Sequence, residues 1–194
     1  MLLKIVQVGE PVLRSVARTL SRDEIRSPQM RMLVELMRET MRDAPGVGLA
    51  APQIGEGIQL FVVEDTREDA RTQRHVVPFQ VFFNPKLTVI DPTPAEFFEG
   101  CLSLTGFSAV VPRALGVRLD ALDHNGDPVT VEARGWFARI LQHETDHLNG
   151  ILYIDRMRSR TFMSQANYGR YWSDSSVAET RAALGDLDPS KPST

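Results

Sequence analysis

Residues 143–147 read His-Glu-Thr-Asp-His, two imidazoles four positions apart with a carboxylate beside the first. On a helix, positions i and i+4 lie one turn apart on one face, so both rings can ligate one cation. Glu144, between them, points toward a water on that cation, the arrangement of a metal-assisted hydrolase with a general base. At about 100° per residue, Trp136, Ile140, His143 and His147 fall within roughly 60° of one another. Glu144 follows beside Phe137, Leu141 and Leu148, whereas Arg139, Gln142, Thr145, Asp146 and Asn149 take the other side. Three ionisable groups on an apolar face are costly to bury unless they share a partner. A metal with its water satisfies all three; hydrogen-bonded core histidines are the plainer alternative.

A catalytic metal usually takes three protein ligands and leaves one position open. Downstream of the helix the choices are poor. Gly150 fits a metzincin pattern, but that pattern needs His at 153, where the chain has Tyr153. Glu179, the main acid for a thermolysin-like site, lies in a polar segment of weak patterning. Upstream, Glu99-Gly100-Cys101-Leu102-Ser103 carries the single cysteine of the chain. A lone cysteine excludes an intramolecular disulfide, and by itself is more often a small hydrophobe than a ligand.

Together with Gly46-Val47-Gly48-Leu49-Ala50-Ala51-Pro52-Gln53, these segments resemble the three signature motifs of the peptide deformylases, in order, within a likeness running from about residue 5 to residue 163. The resemblance implies that Cys101, His143 and His147 bind one divalent metal, commonly Fe2+, with Zn2+, Ni2+ or Co2+ able to substitute. It implies that Glu144 takes a proton from water and later delivers it to the departing amine. The Gln53 amide and the Leu102 backbone N–H would stabilise the oxyanion on the formyl carbon. Backbone groups of Val47, Gly48 and Gly100 would hold an extended peptide, and Val47, Trp136 and Ile140 are candidates for the slot that takes the methionine side chain. Glu99 and Ser103 are expected to orient the cysteine loop, and Asp146 to support the helix. The implied substrates are formyl-Met nascent peptides, and the products formate and a free N-terminus. An HExxH zinc endopeptidase and a catalytically silent binding module on the same fold are the competing readings. Gly135-Trp136 and Ser159-Arg160-Thr161-Phe162 resemble the organelle-targeted subgroup more than the commonest bacterial enzymes.

The elements that must position these residues can be outlined. Residues 28–43 form an amphipathic helix behind Ser27 as N-cap, with Met30, Leu33, Val34, Met37 and Met41 on one face. Gly46 to Gln53 reads as a loop, Ile58 to Val63 as an apolar strand, and Glu64 to Arg74 as an exposed charged loop. Val76-Val77, Gln80 to Asn84 and Lys86 to Ile90 are strand-like, with Pro78 and Pro85 favouring edges or breaks. Gly116 to Asp123 and Pro128 to Glu132 flank an Asn-Gly hairpin signal. The chemistry-bearing helix spans about Arg134 to Leu148 and stops at Asn149-Gly150. Strands clustered before a late helix give an α+β fold, mostly antiparallel sheets around the HExxH helix. Residues 1–165 are expected to form one catalytic domain and 166–194 a C-terminal extension whose last residues, Leu187 to Thr194, are disordered.

The chain has 194 residues, 42% hydrophobic and 24% charged, enough for one ordinary domain. With 22 basic and 25 acidic residues the formal net charge is −3, and no basic stripe is present, so direct nucleic-acid binding is not expected. No apolar run reaches membrane-spanning length, and the opening Met1 to Val6 lacks the features of a signal or transit peptide. The expectation is a cytoplasmic bacterial protein, or alternatively a matured organellar one, a monomer or homodimer that meets the ribosome only through its substrate.

Overall fold

The computed structural model describes residues 1–70 and 73–186, so the expected disorder of Leu187 to Thr194 lies outside the described residues. The helix expected over 28–43 forms as α2 (Pro28–Asp43), preceded by the short α1 (Arg22–Arg26). Ser27 caps α2 by accepting a hydrogen bond from the Met30 N–H, with Pro28 in the first turn, where its missing donor costs nothing. Val34, Met37 and Met41 are buried.

Six strands make one antiparallel sheet in the order β1 (Gly48–Ala50), β2 (Leu60–Asp65), β3 (Val77–Cys101), β4 (Leu104–Leu122) and β5 (Pro128–Arg134), with β6 (Met163–Ser164) added to β4. The fold is α+β with antiparallel pairing, as the order of elements implied. Three expectations need correction. Gly46 to Gln53 is not all loop: Gly48 to Ala50 pairs with Val63 to Phe61 before a 3-10 turn over Ala51–Ile54. The separate strand-like runs after residue 76 are one long strand. Its prolines are tolerated because the ladders shift register beside them, against β2 between Val77 and Gln80 around Pro78, and against β4 between Phe83 and Lys86 and between Asp91 and Pro94. The stretch from Glu64 to Arg74 is not uniformly exposed, since Asp65 ends β2 and is 2% exposed.

Side-chain alternation along β2 explains why the sheet is covered on both faces. Leu60 and Val62 join Leu49, Met37 and Met41 under α2, whereas Phe61 and Val63 join Ile140, Leu141 and Leu148 of α3 (Gly135–Leu148). Each face buries apolar surface worth roughly 25 cal/mol per Å². The Asn125-Gly126 hairpin forms between β4 and β5, Gly126 taking φ +74°. Gly150 ends α3 at φ +71°, its N–H bonding the His147 carbonyl while Ile151 N–H bonds that of Asp146. Two short helices that the weak patterning past Asp155 did not signal follow, α4 (Gln165–Tyr171) and α5 (Val177–Ala183).

Candidate active site

The sheet and α3 bring three donors to one point. Cys101 ends β3 at the tight reversal into β4, while His143 and His147 project from successive turns of α3. One ligand atom from each lies within 4.8 Å of the others, and Cys101 Sγ is 3.3 Å from His147 Nε2. The imidazoles meet edge-to-face, ring centroids 5.0 Å apart. A thiol and two imidazoles are a borderline-soft set that suits Zn or Fe(II), and this group is compact enough for a single divalent ion.

The surroundings of each donor are specific. Gln53 Nε2 donates to Cys101 Sγ at 3.4 Å, as does the Ser103 N–H, so two donors fix the position of the sulfur. Gln53, only 2% exposed, is itself fixed: its Oε1 accepts from Ala50 N–H at 2.8 Å and its Nε2 also donates to Ser103 Oγ at 3.3 Å. His143 Nδ1 lies 3.1 Å from Glu99 Oε2, which leaves Nε2 as the lone pair for a cation. Glu99 thus holds His143 as well as belonging to the cysteine motif. Burial pushes Glu99 upward, but Arg113 and His143 outweigh it and leave the carboxyl at about 2.

Glu144 is 3% exposed, and its Oε2 has no hydrogen-bond partner among the described residues. Burial raises its carboxyl to about 7, with Glu99 adding to the rise and His143 and Arg113 opposing it. A buried carboxyl near neutrality can both take and return a proton. Gly48 makes room for it: a Cβ at 48 would fall 2.1 Å from Glu144 Oε1. Burial lowers His147 well below the usual imidazole range, which keeps it neutral and available as a ligand.

A cleft of about 530 Å³ opens over these groups and is lined by Val47, Gly48, Gln53, Gly100, Leu102 and Glu144, with Trp136 and Ile140 at one side. The structure therefore brings every expected site residue to one place, His147 lying beneath the cleft floor at 1% exposure. Trp136 is held by a bond from its Nε1 to Asp65 Oδ2 at 3.0 Å, and Arg74 caps its ring.

Sequence reasoning missed one feature. Arg139 and Asp146, assigned to the side of α3 away from the metal, are 4% and 7% exposed. Arg113 donates to both Glu99 and Asp146, and Arg156 closes the chain by donating to Asp146 at 2.6 and 2.7 Å. Only the mixed charge of that helix face could have signalled it. Glu179 serves elsewhere: it caps α5 in a reciprocal box with Ser176. Among the described residues, the third ligand a thermolysin-like protease needs is thus occupied in an unrelated role.

Comparison with known proteins gives one answer. Residues 2–163 match the sequence model of the family described as polypeptide deformylase. Peptide deformylase 3 of Streptomyces avermitilis is 45% identical over 188 residues, which is 94% of this chain and 84% of that protein. The chloroplastic peptide deformylase 1A of Solanum lycopersicum is 47% identical over 172 residues, 84% of this chain, which spans 62% of that longer protein. A crystal structure of the class I type b peptide deformylase from Acinetobacter baumannii with Met-Ala-Ser bound superimposes with a TM-score of 0.77 at 32% identity, covering 81% of this chain and 99% of that one.

Proposed function

The chain belongs to the polypeptide deformylase family, and from that premise we propose that Cys101, His143 and His147 hold one divalent metal, ferrous iron in the native protein, while Glu144 moves the proton. The enzyme is a hydrolase that deformylates nascent chains. When bound, the metal lowers the pKa of water toward neutrality and so makes hydroxide available without a strong base.

The chain's own groups do the rest. The peptide lies extended along Val47, Gly48 and Gly100, as an added strand would, and its methionine side chain enters beside Trp136 and Ile140. Gln53 Nε2 and the Leu102 N–H donate to the formyl oxygen as charge gathers there, worth on the order of 10²-fold in rate for each donor. Glu144 accepts the proton of the attacking water on its unpartnered Oε2. As the C–N bond breaks, the same carboxyl returns that proton to the amine nitrogen, so formate leaves with the water's oxygen and the peptide leaves with a free N-terminus. Glu99 keeps His143 in one tautomer throughout.

The observation that carries this reading is the convergence of a thiol, two imidazoles and a buried, unpaired carboxyl on a single cleft. It is tested by expressing the protein anaerobically, measuring bound metal, and assaying formate release from formyl-Met-Ala-Ser. One metal per chain and turnover are expected, with Cys101→Ala losing or reorganising the metal. An iron-replete protein that releases no formate would overturn it.

Relatives of this chain include bacterial, chloroplastic and mitochondrial enzymes. No helix among the described residues is long and apolar enough to cross a membrane. We place its action wherever chains begin with formyl-Met, at the emerging end of the nascent peptide.

A further inference from the structure

Side chains alternate along β2, and Phe61 and Val63 point to the face that α3 covers. Two positions further on, the same alternation gives that face Asp65, whose side chain is 1% exposed where another apolar group would continue the core. A buried carboxylate is costly unless donors meet it. Three residues do so. Arg74 donates to both oxygens, the Arg67 N–H donates to Oδ1 at 3.1 Å, and Trp136 Nε1 donates to Oδ2 at 3.0 Å.

The bond from Trp136 reaches the cleft. Trp136 is the second residue of α3, in a first turn whose N-cap, Arg134, supplies no side-chain hydrogen bond. Helix ends fray, so the indole is placed by its side-chain contacts. Asp65 accepts its N–H, and the Arg74 guanidinium lies over its ring, 5.1 Å from the centroid. Arg74 is fixed in turn by the same carboxylate and by the paired backbone bonds it exchanges with Asp69. Trp136, Arg67 and Arg74 line the cleft, whereas Asp65 lies behind them.

We propose that Asp65 is a positioning residue for the methionine slot. By holding the edge of the Trp136 indole and the guanidinium above its face, it fixes one wall of the slot and so sets how strongly methionine is favoured over a smaller first side chain. This rests on the deformylase reading of the site, with the methionine side chain beside Trp136. Without Asp65 the ring must be ordered each time a long side chain packs on it, and a side chain too short to reach it loses nothing. The effect therefore falls on KM for formyl-Met peptides and spares kcat, which Glu144 and the donors to the formyl oxygen govern.

The test compares formyl-Met-Ala-Ser with formyl-Ala-Ala-Ser as substrates of the metal-loaded enzyme. Asp65→Ala should raise KM for the Met peptide about tenfold, the scale of one hydrogen bond to a charged group, with kcat and the efficiency on the Ala peptide within about twofold. Trp136→Phe, which keeps an aromatic wall but no N–H, should do the same. It leaves the Arg74–Asp65 pair in place, so it carries the comparison even where Asp65→Ala lowers the yield of folded protein. Because both variants remove one bond, the two together should again cost about tenfold rather than about a hundredfold. Asp65→Asn, which keeps an oxygen for the indole N–H, should recover most of the preference for Met. An unchanged Met-to-Ala preference in the single variants, an equal loss on both peptides, a multiplied loss in the double variant, or an Asp65→Asn no better than Asp65→Ala would overturn the assignment while leaving deformylation intact. No turnover of any formylated peptide by the unaltered enzyme would instead bring down the reading on which it rests.

Discussion

At the scale of single residues, the site depends on an absence. Gly48 has no side chain, and Glu144 fills the space one would need: an added Cβ would meet its Oε1 at 2.1 Å, Cδ at 2.5 Å and Cγ at 2.8 Å. Backbone pairing of Gly48 with Val63 fixes that spot, so the carboxylate must move rather than the strand. Gly48→Ala should therefore fold and keep its metal, with a melting temperature within about 3 °C of the unaltered protein. Its kcat should fall by about 10²-fold, the usual contribution of a positioned base. A normal kcat in this variant would show that Glu144 has freedom which the packing denies it. The two histidines and Glu144 were legible in the sequence because helical spacing and residue type restrict what they can do, and Cys101 only through the resemblance of its motif to a known family. Glu99 was expected to orient the cysteine loop, but its pairing with Arg113 was not legible, because the two meet at a separation of 14 residues that no local rule marks.

At the scale of elements, legibility followed regularity. α2 and α3 announced themselves through periodic apolar faces and their stops, and the β4–β5 hairpin through Asn125-Gly126. β1 has three residues and α4 and α5 seven each, too short for a period to repeat enough to be seen. β3 was concealed by its prolines, each of which argues locally for a break, while the register shifts that accommodate them exist only in the paired ladder. The stop of α3 matters to the site because it sets where His147 sits relative to β3. Gly150 holds φ +71°, and a Cβ there would also meet Arg14 C and O at 2.7 Å, backbone atoms that cannot swing aside. Gly150→Ala should cost more than the 1–2 kcal/mol of left-handed backbone alone, about 3 kcal/mol with the clash. Thermal unfolding followed by circular dichroism should show a fall of roughly 6–12 °C. A shift below about 2 °C would mean that the chain from Arg14 yields where its contacts say it should not.

At the scale of the whole molecule, one chain of charge joins the surface to the proposed metal ligands. Arg156, 45% exposed at its side chain, holds Asp146; Asp146 holds Arg113; Arg113 holds Glu99; and Glu99 holds His143 Nδ1. These residues come from β3, β4, α3 and the segment after it, so the site is oriented by the assembled fold rather than by its motifs. Arg113 is the centre of the chain, 3% exposed between two carboxylates. Substituting Arg113→Met keeps much of the volume but leaves Glu99 with only Arg139, at 3.6 Å, and His143 to offset its burial. Breaking a buried ion pair on one side typically costs about 3–5 kcal/mol. Loss of a group that supports a metal ligand typically weakens binding by about 10–100-fold. Both effects are expected here, the first in urea unfolding and the second in competition with a chelator. Arg113→Lys separates them: a point charge recovers part of the stability but not the two-pronged grip on Glu99, so metal affinity should stay low while the unfolding midpoint rises. If Arg113→Met keeps the unaltered metal affinity despite its loss of stability, then His143 is aimed by α3 alone and the charge chain serves only to hold the fold together.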